Sequence, residues 1–235
     1  MASPYFYFAH LAAMPEEFAL NENSSRHIVQ VLRMQSGEDL RLTDGAGLSV
    51  LAKIREANKK KCIVQVIEKQ KQEPPGRSIL IALSLLKNAS RFEWFLEKSA
   101  ELGVSEIIPL KSARTEKQQF RMDRMKSILE SALIQSQQVW MPVLHEPQNF
   151  NFWVENAQAD QKFIAHCETG KKRKLSEMIE MQSSSLLILI GPEGDFTGEE
   201  IKFAVSHHFV AVELGENRLR SETAAVAAAA VLKLF

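Results

Sequence analysis

The sequence has little of several features that mark specialised classes of protein. Its 235 residues include two cysteines, Cys62 and Cys167. Because the two lack the paired spacing of metal ligands, neither a zinc site nor a disulfide framework is expected. The longest apolar run, AAVAAAAVL, is far shorter than the ~20 residues that a membrane helix needs. The N-terminal MASPYFYFAH lacks the basic and apolar regions of a signal peptide, so we predict a cytoplasmic protein.

The chain also has no net charge, because its 29 basic residues balance its 29 acidic ones. There is therefore no overall field to attract nucleic acid. Basic residues do cluster locally, in KSARTEKQQFRMDRMK (111–126) and in GKKRK (170–174). Such clusters are either solvated faces or contacts to phosphate groups. The glycine-rich phosphate motifs G-x-G-x-x-G and G-x-x-x-x-G-K are absent, which argues against those two nucleotide sites.

The first 70 residues have the pattern of a β-rich unit. In DLRLTDGAGLSVLAKI, apolar and polar residues alternate on both sides of a glycine turn, which predicts a hairpin, and KCIVQVIE predicts a further strand. Before them, NSSRHIVQVLRMQSG predicts one short helix, with Ser25 as its cap and Gly37 just beyond its end. A spacing of seven would place Arg26 and Arg33 on a common face of that helix.

A change of pattern follows the segment KQKQEPPGR (69–77), whose charges, prolines and glycine are typical of a linker. We therefore predict two domains, at residues 1–70 and 75–235. In the second, apolar runs alternate with amphipathic helices, which predicts an α/β domain with a parallel sheet. Thr197 and Glu200 are expected to form a capping box, and Ser221 to cap the alanine-rich last helix.

Three predicted strands of this sheet end in polar, glycine-containing segments: AHCETG, IGPEGDF and ELGENRLRSET. In an open parallel sheet, ligands bind outside the carboxyl ends of the strands, so we expect these segments to meet at one edge. Gly191, Gly194 and Gly215 lack a Cβ and would let a ligand approach the main chain. Glu193 and Asp195 would repel a phosphate and tolerate a ligand with positive charge.

Four stretches, spread over nearly the whole chain, resemble one family. LILIGPEGDFTGEE, LGENRLRSETAAVAA and EKSAELGVSEIIPL are similar to the RsmE-type methyltransferases, which modify N3 of a uridine in 16S ribosomal RNA. HIVQVLRMQSGEDLRLTDGAG is similar to the PUA-like RNA-binding domain of that family. The chain departs from the family in the middle helix, where Gln138 stands in place of the usual arginine.

The resemblance implies a fold and a cofactor. The fold is an N-terminal PUA-like β-barrel domain followed by a C-terminal SPOUT α/β domain, with a mostly parallel sheet and a C-terminal trefoil knot. The cofactor is S-adenosylmethionine, held by three knot loops. The implied cofactor-binding residues are His166, Cys167, Glu168, Ile190, Gly191, Pro192, Glu193, Gly194, Leu214, Gly215, Arg218, Leu219, Arg220, Thr223 and Ala224.

The resemblance also implies partners, while the positions and charges of individual residues suggest roles. The partners are 16S rRNA or the assembled small ribosomal subunit and a second copy of the chain, without a metal or a membrane. Arg220 is the candidate catalytic residue, stabilising negative charge on the uracil carbonyls, and an ion pair with a carboxylate such as Glu222 is the alternative role. The predicted RNA-binding residues are Arg26, His27, Arg33, Lys59, Lys60 and Arg114. Two alternatives stay open: a methyltransferase of the same class acting on ribose 2′-OH, and a non-catalytic RNA-binding or ribosome-assembly protein.

Overall fold

The computed structural model describes residues 3–116 and 119–235, so Lys117 of the basic segment 111–126 lies outside the described residues. The chain forms two compact units. The first contains the residues up to Pro74 together with Leu133–Met141. The second contains Pro75–Ala132 and Pro142–Phe235.

The first unit is built on a five-stranded sheet. Its elements are β1 (Tyr5–Tyr7), β2 (Glu17–Ala19), α1 (Glu22–Arg26), β3 (Asp39–Thr43), β4 (Leu48–Glu56) and β5 (Ile63–Lys71). The strand order is β1-β3-β4-β5-β2, with β1 parallel to β3 and the other pairs antiparallel. The predicted hairpin is confirmed, because β3 and β4 pair with Leu42 opposite Val50. Both side chains are buried in one apolar cluster.

The predicted helix before this hairpin is shorter and less regular than expected. Asn21, not Ser25, is the cap: its side chain accepts a hydrogen bond from the Ser24 amide, while the Ser25 hydroxyl is buried and bonded to the main chain of Leu20 and Cys62. After α1 the chain makes a π-helical turn over His27–Val31, and Arg33 takes a left-handed conformation (φ 55°). The helix has thus ended before Gly37. The prediction that Arg26 and Arg33 share a face of one helix was wrong, because Arg33 lies beyond the last helical turn.

Residues 69–77 also differ from the prediction. β5 continues to Lys71, so the beginning of the expected linker is strand. The Gln72 amide still bonds to the Gly47 carbonyl beyond the end of β5. The same hairpin turn pairs with the segment 133–141, since Gly47 donates to the carbonyl of Val139 and Met141 donates to that of Gly45. These contacts join chain segments about ninety residues apart, which no local pattern reveals.

The second unit is an α/β structure. Its strands are β6 (Ser78–Ser84), β7 (Glu106–Lys111), β8 (Val143–Leu144), β9 (Gln148–Asn149), β10 (Gln161–Ala165), β11 (Arg173–Lys174), β12 (Ser185–Ile190) and β13 (Val210–Glu213). Its helices are α2 (Ala89–Glu101), α3 (Met122–Gln135, which continues into the segment 133–141), α4 (Phe150–Asn156), α5 (Leu175–Met178), α6 (Gly198–Ser206) and α7 (Ser221–Leu234).

The parallel sheet that the alternating pattern predicted is confirmed. Its order is β11-β13-β10-β12-β6-β7-β8, with β9 also beside β7, and every pair is parallel. Leu80 and Ala82 of β6 pack in a cluster with residues of α4 and α6. Helix α7 contacts β6 and β12 outside that cluster, so helices cover both faces of the sheet. The strand β12 lies between β6 and β10, although it follows β10 in the chain.

The ends of the last two helices test the predicted caps. The capping box is confirmed, because the Thr197 side chain accepts from the Glu200 amide and the Glu200 carboxylate accepts from the Thr197 amide. Ser221 is not a cap: Arg220 occupies the cap position of α7 and makes no capping bond through its side chain. The alanines at 225, 228 and 229 are fully buried within the unit. Their small size thus serves close packing of α7 inside this chain.

Candidate active site at the strand ends

Three neighbouring strands of the second unit end at the same level. Ala165 at the end of β10 pairs with Ile190, the last residue of β12, and with Val212 near the end of β13. The segments that follow them enclose a cavity of about 750 Å³. The predicted site residues that line it are His166, Cys167, Ile190, Gly191, Pro192, Glu193, Leu214, Gly215, Arg218, Leu219, Arg220 and Ala224.

Three predicted site residues lie outside the cavity wall. Glu168 turns its carboxylate toward Gly198, whose added Cβ would lie 3.1 Å from Glu168 Oε1. Gly194 offers its carbonyl to the Arg114 guanidinium, at 2.6 Å. Thr223 is exposed on the first turn of α7. The structure therefore gives none of the three a direct place in the wall.

The wall also contains residues that were not predicted to bind the cofactor: Ala165, Lys172, Val212, Glu213, Glu216, Asn217, Ser221 and Asp195, the last of which had been expected only to tolerate a positive ligand. Lys172 is the most informative of these. Its ammonium donates to the carbonyls of His166 (2.6 Å) and Glu168 (2.8 Å), so it holds the segment after β10. The sequence shows Lys172 as one residue of the basic cluster GKKRK. No local pattern shows that its side chain returns to the end of β10.

The glycines of the cavity serve different purposes. A Cβ on Gly191 would lie 3.0 Å from the Phe196 amide nitrogen and 3.1 Å from Asp195 Oδ1, so this glycine lets the loop fold on itself. A Cβ on Gly194 would meet the side chain of Arg114. Only at Gly215, among these three, is the surrounding space open, and its φ of +141° also favours glycine. The expected close approach of a ligand thus fits Gly215 best.

The two carboxylates of the glycine loop are bonded to the protein. Glu193 accepts from the Lys87 amide through both oxygens (3.1 and 3.3 Å), and Arg91 lies 3.9 Å away. Asp195 accepts from the amides of Cys167 (2.6 Å) and Phe196 (2.8 Å). Their charges remain beside the cavity, but their oxygens brace the loop. We had expected these acids only to tolerate a positive ligand.

Arg220 is available to a ligand. It is exposed at the start of α7 and lines the cavity. Within residues 3–116 and 119–235, its side chain makes no hydrogen bond or ion pair that would occupy it. The neighbouring carboxylate of Glu222, an obvious partner by sequence, is buried and lies 3.6 Å from Arg91 instead. The guanidinium of Arg220 is therefore a permanent positive charge at the edge of the cavity, and no described acid neutralises it.

His166 is the titratable group of the cavity with an altered pKa. Burial lowers the pKa of its imidazole from the usual 6.5, the charge of Lys172 lowers it further, and Asp195 and Glu168 oppose the shift. The buried Nδ1 has no hydrogen-bond partner among the described residues. At neutral pH this imidazole is uncharged.

The predicted RNA-binding residues fall in both units. In the first unit Arg26, His27, Arg33, Lys59 and Lys60 are all exposed. The guanidinium of Arg26 pairs with Glu22 at 2.8 Å, and the ring of His27 packs edge-on against Phe6. In the second unit Arg114 is exposed, but its guanidinium is bonded to the glycine loop. The structure thus gives Arg114 a local role that the sequence did not suggest.

No group of three or more histidine, cysteine, aspartate or glutamate side chains in residues 3–116 and 119–235 is arranged to hold a metal ion. Nor does any helix in the described part of the chain have the length and apolar character needed to cross a membrane.

A parallel sheet with a cavity at its strand ends defines an α/β domain of the kind that binds small molecules there, and this chain combines it with a small β-rich unit. A family model for an RNA methyltransferase domain matches residues 72–233, and a model for an RNA methyltransferase PUA domain matches residues 20–67. The chain belongs to this family of RNA methyltransferases.

Individual relatives agree with this assignment. The chain is 29% identical over 236 residues to the ribosomal RNA small subunit methyltransferase E of Bacillus subtilis, covering 93% of this chain and 91% of that protein. It is 33% identical to a probable rRNA-methyltransferase from Porphyromonas gingivalis, with a TM-score of 0.88 and coverage of 96% and 95%. A ribosomal RNA small subunit methyltransferase E from Neisseria gonorrhoeae, bound to S-adenosyl methionine, has 28% identity, a TM-score of 0.88 and coverage of 99% and 97%.

Proposed function

We propose that this protein transfers the methyl group of S-adenosylmethionine to N3 of a uridine in 16S ribosomal RNA. The observation that carries the proposal is the cavity at the ends of β10, β12 and β13, with the unpaired guanidinium of Arg220 at its edge. The family and the SAM-bound relative support the choice of reaction and cofactor.

The cavity fits the proposed cofactor in size and chemistry. Its volume of about 750 Å³ lies within the usual range for small-molecule sites. Apolar side chains of Ile190, Val212, Leu214 and Leu219 line it beside the main chain of the glycine turns, which suits a nucleoside. Carboxylates of Glu213 and Glu216 offset the charge of Arg218 and Arg220, so a sulfonium cation is not repelled. The trefoil knot that the resemblance implied stays part of the proposal.

The chain's own residues would align the reactants. S-adenosylmethionine supplies an activated methyl group, which moves to the uridine nitrogen as its bond to sulfur breaks. Alignment of donor and acceptor is the main contribution of the protein to such a displacement. Arg220 would stabilise the negative charge that develops on the uracil carbonyls as the N3 proton leaves to solvent. The target base must leave its stack to reach the cavity.

The remaining parts of the proposal concern partners and place. Lys59, Lys60 and Arg33 of the first unit would hold RNA phosphates, because all three are exposed and none is engaged by an acid in the described structure. A homodimer rests on the family resemblance; the buried alanines of α7 are used within the chain and do not support it. A ribosomal RNA substrate supports a cytoplasmic location.

The direct test is a methylation assay with purified protein, S-adenosylmethionine, and either free 16S rRNA or the small subunit. Mass spectrometry of nuclease fragments should locate one methyl group on a uracil N3. A methyl group on a ribose 2′-oxygen would favour the alternative enzyme, and RNA binding without methylation would favour an assembly protein.

The role of Arg220 is tested by single-turnover kinetics. Arg220→Ala should lower the saturated methylation rate by ~10² or more, since one transition-state donor is lost, while SAM and RNA affinities stay within a few-fold. Arg220→Lys keeps the positive charge but loses the planar guanidinium with its several donors, so it should retain part of the methylation rate. A normal saturated rate in Arg220→Ala would show that the guanidinium takes no part in the transfer.

A further inference from the structure

Asp195 occupies an unusual place in the glycine loop. Its φ of +64° lies in the left-handed region, which residues other than glycine rarely adopt. Asparagine and aspartate tolerate this conformation better than other side chains, but it is still strained. A strained residue at a site is informative when the strain maintains a specific contact.

The contact here joins two of the three segments that enclose the cavity. Asp195 Oδ2 accepts a hydrogen bond from the Cys167 amide at 2.6 Å, across 28 residues of sequence. Asp195 Oδ1 accepts from the adjacent Phe196 amide at 2.8 Å, which fixes the carboxylate plane. One carboxylate thus links the loop after β12 to the segment after β10.

The segment after β10 is held from its other side as well. The ammonium of Lys172 binds the carbonyls of His166 and Glu168, which flank Cys167. Of these groups, His166, Cys167, Lys172 and Asp195 all line the cavity. Two charged side chains therefore fix the three-residue segment 166–168, one through an N–H group and the other through carbonyls.

We propose that Asp195 is a positioning residue for the cofactor: it fixes the segment 166–168 against the glycine loop, so that the cavity wall is formed before S-adenosylmethionine binds. This inference rests on the proposed function of the cavity. A binding site that is ordered in advance has higher affinity, because binding then loses less conformational entropy of the loops. The carboxylate also occupies the Cys167 amide, so the cofactor must use other main-chain groups.

The test compares three variants by calorimetry with S-adenosylmethionine and by steady-state methylation. Asp195→Gly suits the left-handed backbone and removes the link. Asp195→Asn keeps one acceptor oxygen and tolerates the same conformation. His208→Gly is the matched control, because exposed His208 has a φ of +68° and lies away from the cavity wall, at the end of α6.

Asp195→Gly should raise both the Kd and the KM for S-adenosylmethionine about tenfold, with kcat at saturation within about threefold of the wild type. Asp195→Asn should fall between the wild type and Asp195→Gly. His208→Gly should bind as the wild type does. The split between KM and kcat separates positioning from a general loss of folding, which would lower the active fraction and hence kcat.

Two results would overturn the inference. One is an unchanged Kd in folded Asp195→Gly, which would make the link purely structural. The other is a His208→Gly variant that weakens binding as much as Asp195→Gly does, which would make the loss a general effect of glycine at a left-handed position. A wild-type protein that binds no S-adenosylmethionine would instead contradict the proposed function, so the two failures are distinguishable.

Discussion

Gly191→Ala is the substitution whose effect the structure predicts most sharply. The added Cβ would lie 3.0 Å from the Phe196 amide nitrogen, 3.1 Å from Asp195 Oδ1 and 3.2 Å from the Asp195 carbonyl carbon. Two of these atoms belong to the main chain, and Gly191 is buried, so the loop must shift by a few tenths of an ångström. Overpacking of this kind costs about 1–3 kcal/mol. For a chain of this length the Tm should fall by about 2–12 °C.

The same shift should weaken cofactor binding. Asp195 carries the link to the Cys167 amide, and displacing it disturbs the wall of the cavity. We therefore expect the Kd for S-adenosylmethionine to rise about tenfold, which corresponds to a loss of about 1.4 kcal/mol of binding free energy. The assays are thermal unfolding followed by circular dichroism, and isothermal calorimetry.

Gly194→Ala is the matched control three residues further along the same loop. Its Cβ would approach only the Arg114 side chain, at 3.3 Å from Cδ, and a flexible side chain can move aside. Its unfolding free energy should stay within about 0.5 kcal/mol of the wild type. Wild-type stability and affinity in Gly191→Ala, or equal damage from both substitutions, would refute the reasoning.

Three further predictions concern pH, RNA and assembly. Because burial holds the pKa of His166 below its usual 6.5, the unfolded chain takes up this proton at a higher pH than the folded one, so stability should fall as the pH drops from 6.5 toward the folded pKa. Thermal melts between pH 7.5 and 5 should show a shallower decline in His166→Gln, and identical slopes would contradict this. Replacing both Lys59 and Lys60 with alanine should weaken RNA binding and leave the affinity for SAM unchanged. The dependence of RNA binding on salt should become shallower, as expected from the loss of about two phosphate contacts. An unaltered salt dependence in filter binding would show that these lysines do not contact RNA phosphates. Light scattering of the wild type should give the mass of a dimer, and a monomeric mass at working concentrations would count against it.

Much of the second unit follows from local pattern. Apolar runs such as SLLILI are long enough for a buried strand, and their alternation with amphipathic helices specifies a parallel sheet. The capping box of Thr197 and Glu200 was predictable because its two partners are three residues apart. Caps failed where several polar residues compete. Asn21 caps α1 with its side chain, whereas the predicted cap Ser25 lies inside that helix and bonds to Leu20 and Cys62.

The sequence by itself determined which segments end strands and which residue types they carry, because periodicity and turn residues are local properties of the chain. Tertiary structure decided how those segments are fixed. The bonds from Asp195 to Cys167 and from Glu193 to Lys87 join residues far apart in the chain, as do the contacts of Gly47 with Val139. Many carboxylates could satisfy a given amide, and only the packing of the sheet selects one. The glycines show the same division: their presence was plain from the sequence, but the atoms that a Cβ would meet depend on the folded loop.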